Sequence, residues 1–301
     1  GSQLVNDLLN KGHKIKVIDS QWFGNFLKYD KNLKIVKKDI RDLKISDFSG
    51  YKTVFHLANV ANDPAVELNE SMSFEINIMA TKQILEMCIS AKVKKFIFSS
   101  SGSVYGIKKE KKVTQNLSLV PLSVYNKTKM IAERIILSYK NEIQVIIIRP
   151  ATVCGISSRM RLDVSVNLLT MQALNKGKIQ VLGGQQIRPN IHIKDLSNLF
   201  IFVFENKKIS QGIFNAGFEN ISIINLAKKI QKKINTKIII KESNDNRSYR
   251  LDSSKILKLG FKPKYNVDYA INELHKCFND GTLKDMLNCY NVQWMLKKKI
   301  K

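Results

Sequence analysis

Five short apolar, β-branched segments punctuate the first half of the chain: KIKVID (14 to 19), KIVKKDI (34 to 40), TVFHLA (53 to 58), KKFIFSS (94 to 100) and VIIIRP (145 to 150). Helical patterns lie between several of them, and a strand that returns through a helix to its own sheet makes a parallel βαβ unit. Runs apolar throughout, such as VFHLA and VIIIR, suit strands covered on both faces. The alternation therefore predicts an α/β fold built on a doubly wound parallel sheet. The helices follow the 3.6-residue period. Ser2 to Asn10 sets Leu4, Val5, Leu8 and Leu9 on one face, and Glu75 to Ala91 does the same with Ile76, Met79, Ala80, Ile84, Met87 and Cys88.

A doubly wound domain opens with a strand and a glycine-rich turn, whereas this sequence begins in a helix. Gly1, the helix, the loop Asn10 to His13 and a strand ending in Asp19 match the order expected from the last glycine of a phosphate-binding turn onward. The expectation is a Rossmann-like domain over 1–155 whose first strand and Gly-rich loop are missing. A smaller α/β substrate-binding lobe occupies 156–301, with about 191–217 returning to the main sheet. Without a central strand, the chain is expected to be poorly folded or inactive by itself. Asp19 stands where an acid accepts hydrogen bonds from adenosine ribose hydroxyls, which favours NAD over NADP; the plainer alternative is a turn aspartate capping the next segment.

The central chemical feature is Tyr125 with Lys129 in VYNKTKMIAERII, where the four-residue spacing puts a phenol and an ammonium on one helix face. With nine tyrosines and abundant lysine, about one such pair arises by chance. Tyr105 and Lys109 share the spacing, but Gly106 comes directly after that tyrosine and no helical pattern supports the pair. Ser101 lies just beyond a strand, where its hydroxyl could meet the Tyr125 phenol at the carboxyl edge of the sheet. A phenol of ordinary pKa ~10 becomes a usable base when nearby cations stabilise its anion. It can then take a proton from a substrate hydroxyl, with Ser101 donating to the same oxygen.

The formal charge of +25 raises nucleic acid as a partner. The lysines are spread along the whole chain and no aromatic residues interleave with them, so no nucleic acid is expected. Cys88, Cys154, Cys277 and Cys289 form no CxxC pair, so neither a metal site nor a disulfide framework is indicated and they read as reduced core thiols. No apolar run reaches the ~20 residues a spanning helix needs, and a cytoplasmic protein with no membrane contact is expected. His56 and His192 read as structural, and Trp22 and Trp294 as packing residues.

In sequence order, several motifs together resemble the extended short-chain dehydrogenase/reductase family, in its NAD-dependent epimerase/dehydratase branch that acts on nucleotide sugars. Gly1 resembles the last glycine of the family's GxxGxxG turn, Asp39 and Ile40 its adenine-contacting pair, and His56, Leu57 and Ala58 its HLA strand end. Asn77 matches its structural asparagine, SSSGSVYG (99 to 106) its serine segment and YNKTK (125 to 129) its YxxxK. The resemblance implies NAD as cofactor, Tyr125 as base, Lys129 on the nicotinamide ribose and Ser101 on the substrate. It also implies a homodimer and a nucleoside-diphosphate sugar as substrate.

RPATVCGISSRMRLDVSVNLL (149 to 169) and IRPNIHIKDL (187 to 196) resemble the sugar-nucleotide branch and imply Arg188 and Arg247 as diphosphate contacts with Asn167 in support. Arg159 and Arg161 flank the pocket in that subgroup. Two departures stand out: Thr152 replaces an asparagine common in the family, and Gly102 with Ser103 stand where dehydratases and decarboxylases carry acids. The implied reaction is epimerisation or C4 oxidation. The alternatives are a sugar-nucleotide dehydratase and a catalytically silent NAD-binding sensor or scaffold.

Overall fold

The computed structural model of the chain describes residues 1–243 and 248–300. The first half supplies β1 (Ile15–Asp19), β2 (Leu33–Lys37), β3 (Thr53–His56), β4 (Lys95–Ser99) and β5 (Gln144–Pro150). The second half adds β6 (Thr152–Cys154), β7 (Lys178–Leu182), β8 (Ile187–His192), β9 (Gly212–Ala216), β10 (Glu219–Ser222) and β11 (Lys237–Lys241). The main sheet has the order β3-β4-β5-β9 with every pair parallel, as the alternation of strand and helix requires.

Its two faces are both buried, and the period of two decides which residue meets which layer. Ile97, Ile146 and Ile148 face Leu4, Leu8, Leu199 and Phe200, so the helices Ser2–Asn10 and Ile193–Glu205 cover that side. Phe96, Phe98, Val145 and Ile147 face Ile84, Leu85, Ala132 and Ile136 from the helices Ala80–Ser90 and Val124–Ser138. β1 and β2 pair in parallel with each other and form no ladder to β3, so the first two strands make a separate ribbon.

One element differs from the sequence reading. The helix expected over 75 to 91 opens with a π-helical turn at Glu75–Met79 before the α-helix Ala80–Ser90. That wide turn aims Asn77 inward, where it accepts from the Val60 amide (2.8 Å) and donates to the Val60 carbonyl (3.1 Å) and the Thr128 hydroxyl (3.1 Å). One buried amide thus ties the loop after β3 to the helix bearing Tyr125. Within 191–217 the chain forms the end of β8, the helix Ile193–Glu205 and then β9, and it is β9 that pairs with β5.

In the second half, β6 and β8 run parallel and β10 antiparallel to β8, while β7 pairs with β11. Val166, Leu169, Ile179, Val181, Leu226 and Ile230 form a separate core there. Gly155 shows how tightly the lobe joins the rest. Its φ is +98°, and a Cβ at this position would stand 2.3 Å from His192 Nε2 and 2.6 Å from Glu273 Oε1. Only glycine fits both constraints.

Candidate active site

A cleft of about 1200 Å³ runs between the carboxyl ends of the main-sheet strands and the second half of the chain. Its wall includes Ser101, Tyr125 and Lys129, together with Gly1, Asp19 and Leu57 from the first half and Asn167 and Arg188 from the second. Asp39, Ile40, Ala58 and Asn77 are not in this wall. Asp39 caps the turn Ile40–Asp42 and is bridged by Arg41 at 3.0 Å, which holds its carboxyl below the usual range, while Ile40 is buried in the core. Arg247 lies outside the described residues.

Ser101, Tyr125 and Lys129 gather because a short strand end and a capped helix meet. Ser123 caps the helix Val124–Ser138 by accepting from the Asn126 amide (3.2 Å), so Tyr125 sits in its first turn and Lys129 one turn later on the same face. β4 ends at Ser99, and Ser101 then caps a short 3-10 turn, Gly102–Tyr105. The Ser101 hydroxyl lies 2.7 Å from that of Ser103, which in turn donates to Asn126 Oδ1. No helix carries both Tyr105 and Lys109. Tyr105 is wholly buried and its phenol bonds to Arg149 and Asn215.

Burial pushes the Tyr125 phenol up to about 12. The charge that most opposes this is Arg161's, reaching in from the second half, and a hydrogen bond with Ser101 acts in the same direction as Arg161. Lys129 is pushed down to about 7 by burial, against the attraction of Glu133. Its ammonium donates to the Ser99 carbonyl at 2.7 Å and lies 4.7 Å from the Phe98 ring centroid.

Three arginines line the far wall. Arg161 is met by Asp163 at 2.8 and 3.0 Å. Arg159 stacks 4.2 Å over the Phe23 ring and donates to Asn291 Oδ1 at 2.6 Å; among the described residues no carboxylate pairs with it, and burial pushes it down to about 10. Arg188 extends from β8. Asn167 faces the cleft, but its amide is spent on the loop: it accepts from the Gly155 amide and donates to the Gly155 and Arg161 carbonyls.

His56 bonds to Thr81 at 2.9 Å and burial pushes it down to about 3, so it is neutral at working pH. His192 bonds to Glu273 through Nε2 at 2.8 Å while Nδ1 accepts from the Lys194 amide. The Trp294 indole donates to the Trp22 carbonyl at 2.6 Å. No group of side chains among the described residues could hold a metal ion. None of their helices is long and apolar enough to cross a membrane.

The cleft wall suits a dinucleotide in three respects. Asp19 stands in the cleft wall at the carboxyl end of β1, and its Oδ1 accepts from the Gln21 amide (2.6 Å). The first turn of the helix Ser2–Asn10 opens on the cleft with no acidic residue and no side-chain cap. Both polar atoms of the Asn59 side chain are buried without a hydrogen-bond partner. Sequence reasoning missed Asn59, along with Ser103 and Asn126; nothing in their spacing marks them.

A family model described as the NAD dependent epimerase/dehydratase family matches residues 1–217. The chain belongs to that family, an enzyme family with NAD as its cofactor. It is 27% identical to a UDP-glucose 4-epimerase of Lactobacillus helveticus, over 90% of this chain and 91% of the relative. It is 30% identical to an uncharacterized UDP-glucose epimerase, YtcB, of Bacillus subtilis, over 77% of this chain and 78% of the relative. Among solved structures it is similar to UDP-glucuronic acid 4-epimerase from Bacillus cereus in complex with UDP-glucuronic acid and NAD. That match has a TM-score of 0.83 and 25% identity, covering 93% of this chain and 96% of the other.

Proposed function

We propose that this chain inverts the C4 hydroxyl centre of a UDP-sugar, with Tyr125, Lys129 and Ser101 as the catalytic set. The observation that carries the reading is the convergence of these three side chains on one cleft whose opposite wall bears Arg159, Arg161 and Arg188. Relatives named as a UDP-glucose 4-epimerase and as an uncharacterized UDP-glucose epimerase support it. Bound NAD supplies the acceptor and donor of a hydride at the sugar carbon.

Tyr125 takes the hydroxyl proton on its phenolate oxygen and returns it after the sugar has presented its other face. Ser101 donates to the sugar oxygen throughout and links it to Tyr125. Arg161 lowers the cost of the phenolate, and Lys129 holds the base of the site against the Ser99 carbonyl. Asp19 and the first turn of the helix Ser2–Asn10 hold the dinucleotide, with Leu57 against it, and Arg188 meets the sugar diphosphate. The segment Ser101 to Ser103 carries no carboxyl group, which favours epimerisation over elimination of water; the carboxylate whose charge reaches Tyr125 is that of Asp63.

Two coarser features belong to the same proposal. Phe74 and Met79 are 39% and 55% exposed beside the helix Val124–Ser138, and a second copy covering them would make a homodimer. The four cysteines are all free, in keeping with a cytoplasmic setting.

The test is incubation of the protein with NAD and a panel of UDP-, GDP- and dTDP-sugars, following absorbance at 340 nm and product stereochemistry by NMR. An inverted centre without net NADH supports the reading. Accumulating NADH with a ketosugar replaces it by C4 oxidation. Silence across the panel with NAD bound moves the assignment to a sensor or scaffold.

A further inference from the structure

Behind the proposed catalytic set lies a buried ion pair that the proposed reaction does not use. The helix Val124–Ser138 carries Tyr125, Lys129 and Glu133 at successive turns of one face, and the Glu133 side chain is only 1% exposed. Arg149, from β5 and 3% exposed, grips its carboxylate through Nε (2.9 Å to Oε1) and Nη2 (2.5 Å to Oε2). The hydroxyl of Ser100 donates to the same carboxylate. Arg149 Nη1 donates to the Tyr105 phenol (2.6 Å), which donates to Asn215 Oδ1 (2.8 Å), and Asn215 bonds to the Val113 and Asp252 carbonyls. Ser100 thus stands between two groups of the site: Ser99, whose carbonyl holds the Lys129 ammonium, and Ser101, which lines the cleft and bonds to Tyr125.

We propose that Glu133 is a positioning residue for the reaction: it fixes the Ser99–Ser101 corner through Ser100 and keeps Lys129 in its ammonium form, with Arg149 setting how much of its charge Lys129 feels. The proposal rests on Tyr125, Lys129 and Ser101 being the catalytic set.

Location supports this role. A buried carboxylate with a bidentate guanidinium is costly unless fully bonded, and a wholly apolar pair of similar volume would serve the core equally well. Here the pair lies one helical turn from an ammonium that burial pushes down to about 7. The charge of Glu133, on the same helix, acts on the Lys129 ammonium, His56 on β3 feels the Lys129 charge, and Arg149 on β5 stands behind Glu133. His56 is neutral through the working range. Glu133 is therefore the one anion among them that favours the ammonium.

The charges predict opposite shifts. Glu133→Gln leaves Arg149 uncompensated and should lower the Lys129 titration midpoint by roughly one unit, whereas Arg149→Met frees the Glu133 charge and should raise it. The midpoint is read in the ligand-free protein by NMR of lysine labelled with ¹³C at Cε, with Lys129→Met assigning the signal. The alkaline limb of kcat on UDP-glucose with NAD should follow each shift. If one variant fails to fold, the direction of the other decides.

Ser100→Ala keeps both charges and tests the corner alone: kcat should fall about tenfold with KM within about twofold. Shifts in the same direction, no shift in a folded variant, an alkaline limb that ignores the Lys129 midpoint, or an unchanged kcat in Ser100→Ala would each overturn the proposal. Tyr125→Phe run alongside separates the two readings. If it retains turnover, the assigned function falls, while the Lys129 titration still reports on Glu133.

Discussion

The two ribbons of parallel strand in the first half are built on different physics. β4 and β5 bury FIF and VIIIR on both faces, down to 0% exposure at Phe96, Ile97, Phe98, Ile146, Ile147 and Ile148. β1 and β2 read IKVID and LKIVK, and none of their residues is fully buried. Polar ties hold this second ribbon: Asp47 bridges Lys16 on β1 (3.1 Å) and Lys38 just past β2 (2.8 Å), and Trp294 bonds to the Trp22 carbonyl. Of the side chains proposed for chemistry, Ser101 follows the end of β4 and Tyr125 and Lys129 stand on the helix Val124–Ser138 packed against β4 and β5, whereas Asp19 ends the second ribbon. The wall proposed to do chemistry therefore rests on dispersion and full apolar burial, whereas the wall proposed to hold the adenosine half adds part-buried ion pairs to the half-buried Ile15 and Ile18.

The largest effect should fall on chemistry alone. Tyr125→Phe keeps the ring in place and should lower turnover of a UDP-sugar by about 10²–10⁴-fold, with the melting temperature unchanged. A melt that drops by several degrees would mean that the phenol also supports the fold. Next comes the core. Ile147→Ala in β5 should cost about 2–5 kcal/mol in denaturant unfolding, and Ile18→Ala in β1, only half-buried, about 1 kcal/mol. Equal costs would erase the contrast between the ribbons.

A smaller effect comes from pH. The Lys38 and Lys16 ammoniums hold the Asp47 carboxyl down to about 2. A depressed carboxyl stabilises the fold above its unfolded value of ~3.9, and that contribution is lost as pH falls toward 2. The tie is worth on the order of 1 kcal/mol once solvent screening is allowed for. Asp47→Asn should remove it, and hydrogen exchange should quicken in β1 and β2 but not in β4 and β5. The smallest change is Trp294→Phe, which removes one indole N–H and should cost about 0.5–1 kcal/mol, read as weaker NAD binding by calorimetry with kcat unchanged.

Much of this was legible in the residues. The strands β3, β4 and β5 and the helices Ser2–Asn10 and Val124–Ser138 stand out because their signals are local: short apolar, β-branched runs for the strands and residues sharing a face at the 3.6-residue period for the helices. Tyr125 and Lys129 share a face for the same reason. The π turn at Glu75–Met79 left no such mark, since the residues that define it as useful, Val60 and Thr128, are far away in sequence. Asp39 and Asn167 carry side chains suited to ligands, yet the fold spends them on Arg41 and on the Gly155 loop. Glu133 and Arg149 offered a weaker signal: a charge one turn past Lys129 on a face otherwise turned inward, and an arginine closing the apolar strand VIIIRP.

The sequence by itself determined which segments are strands and helices, and that a phenol, an ammonium and a carboxylate succeed one another along a single helix face. Tertiary structure alone decided which of their charges is opposed, and by what. Arg161 reaches Tyr125 from the second half, Arg149 reaches Glu133 from β5, and the sheet buries Lys129 against Phe98. The reason is that periodicity is set over a few residues of chain, whereas burial and electrostatic neighbours are set by segments that only the folded packing brings together.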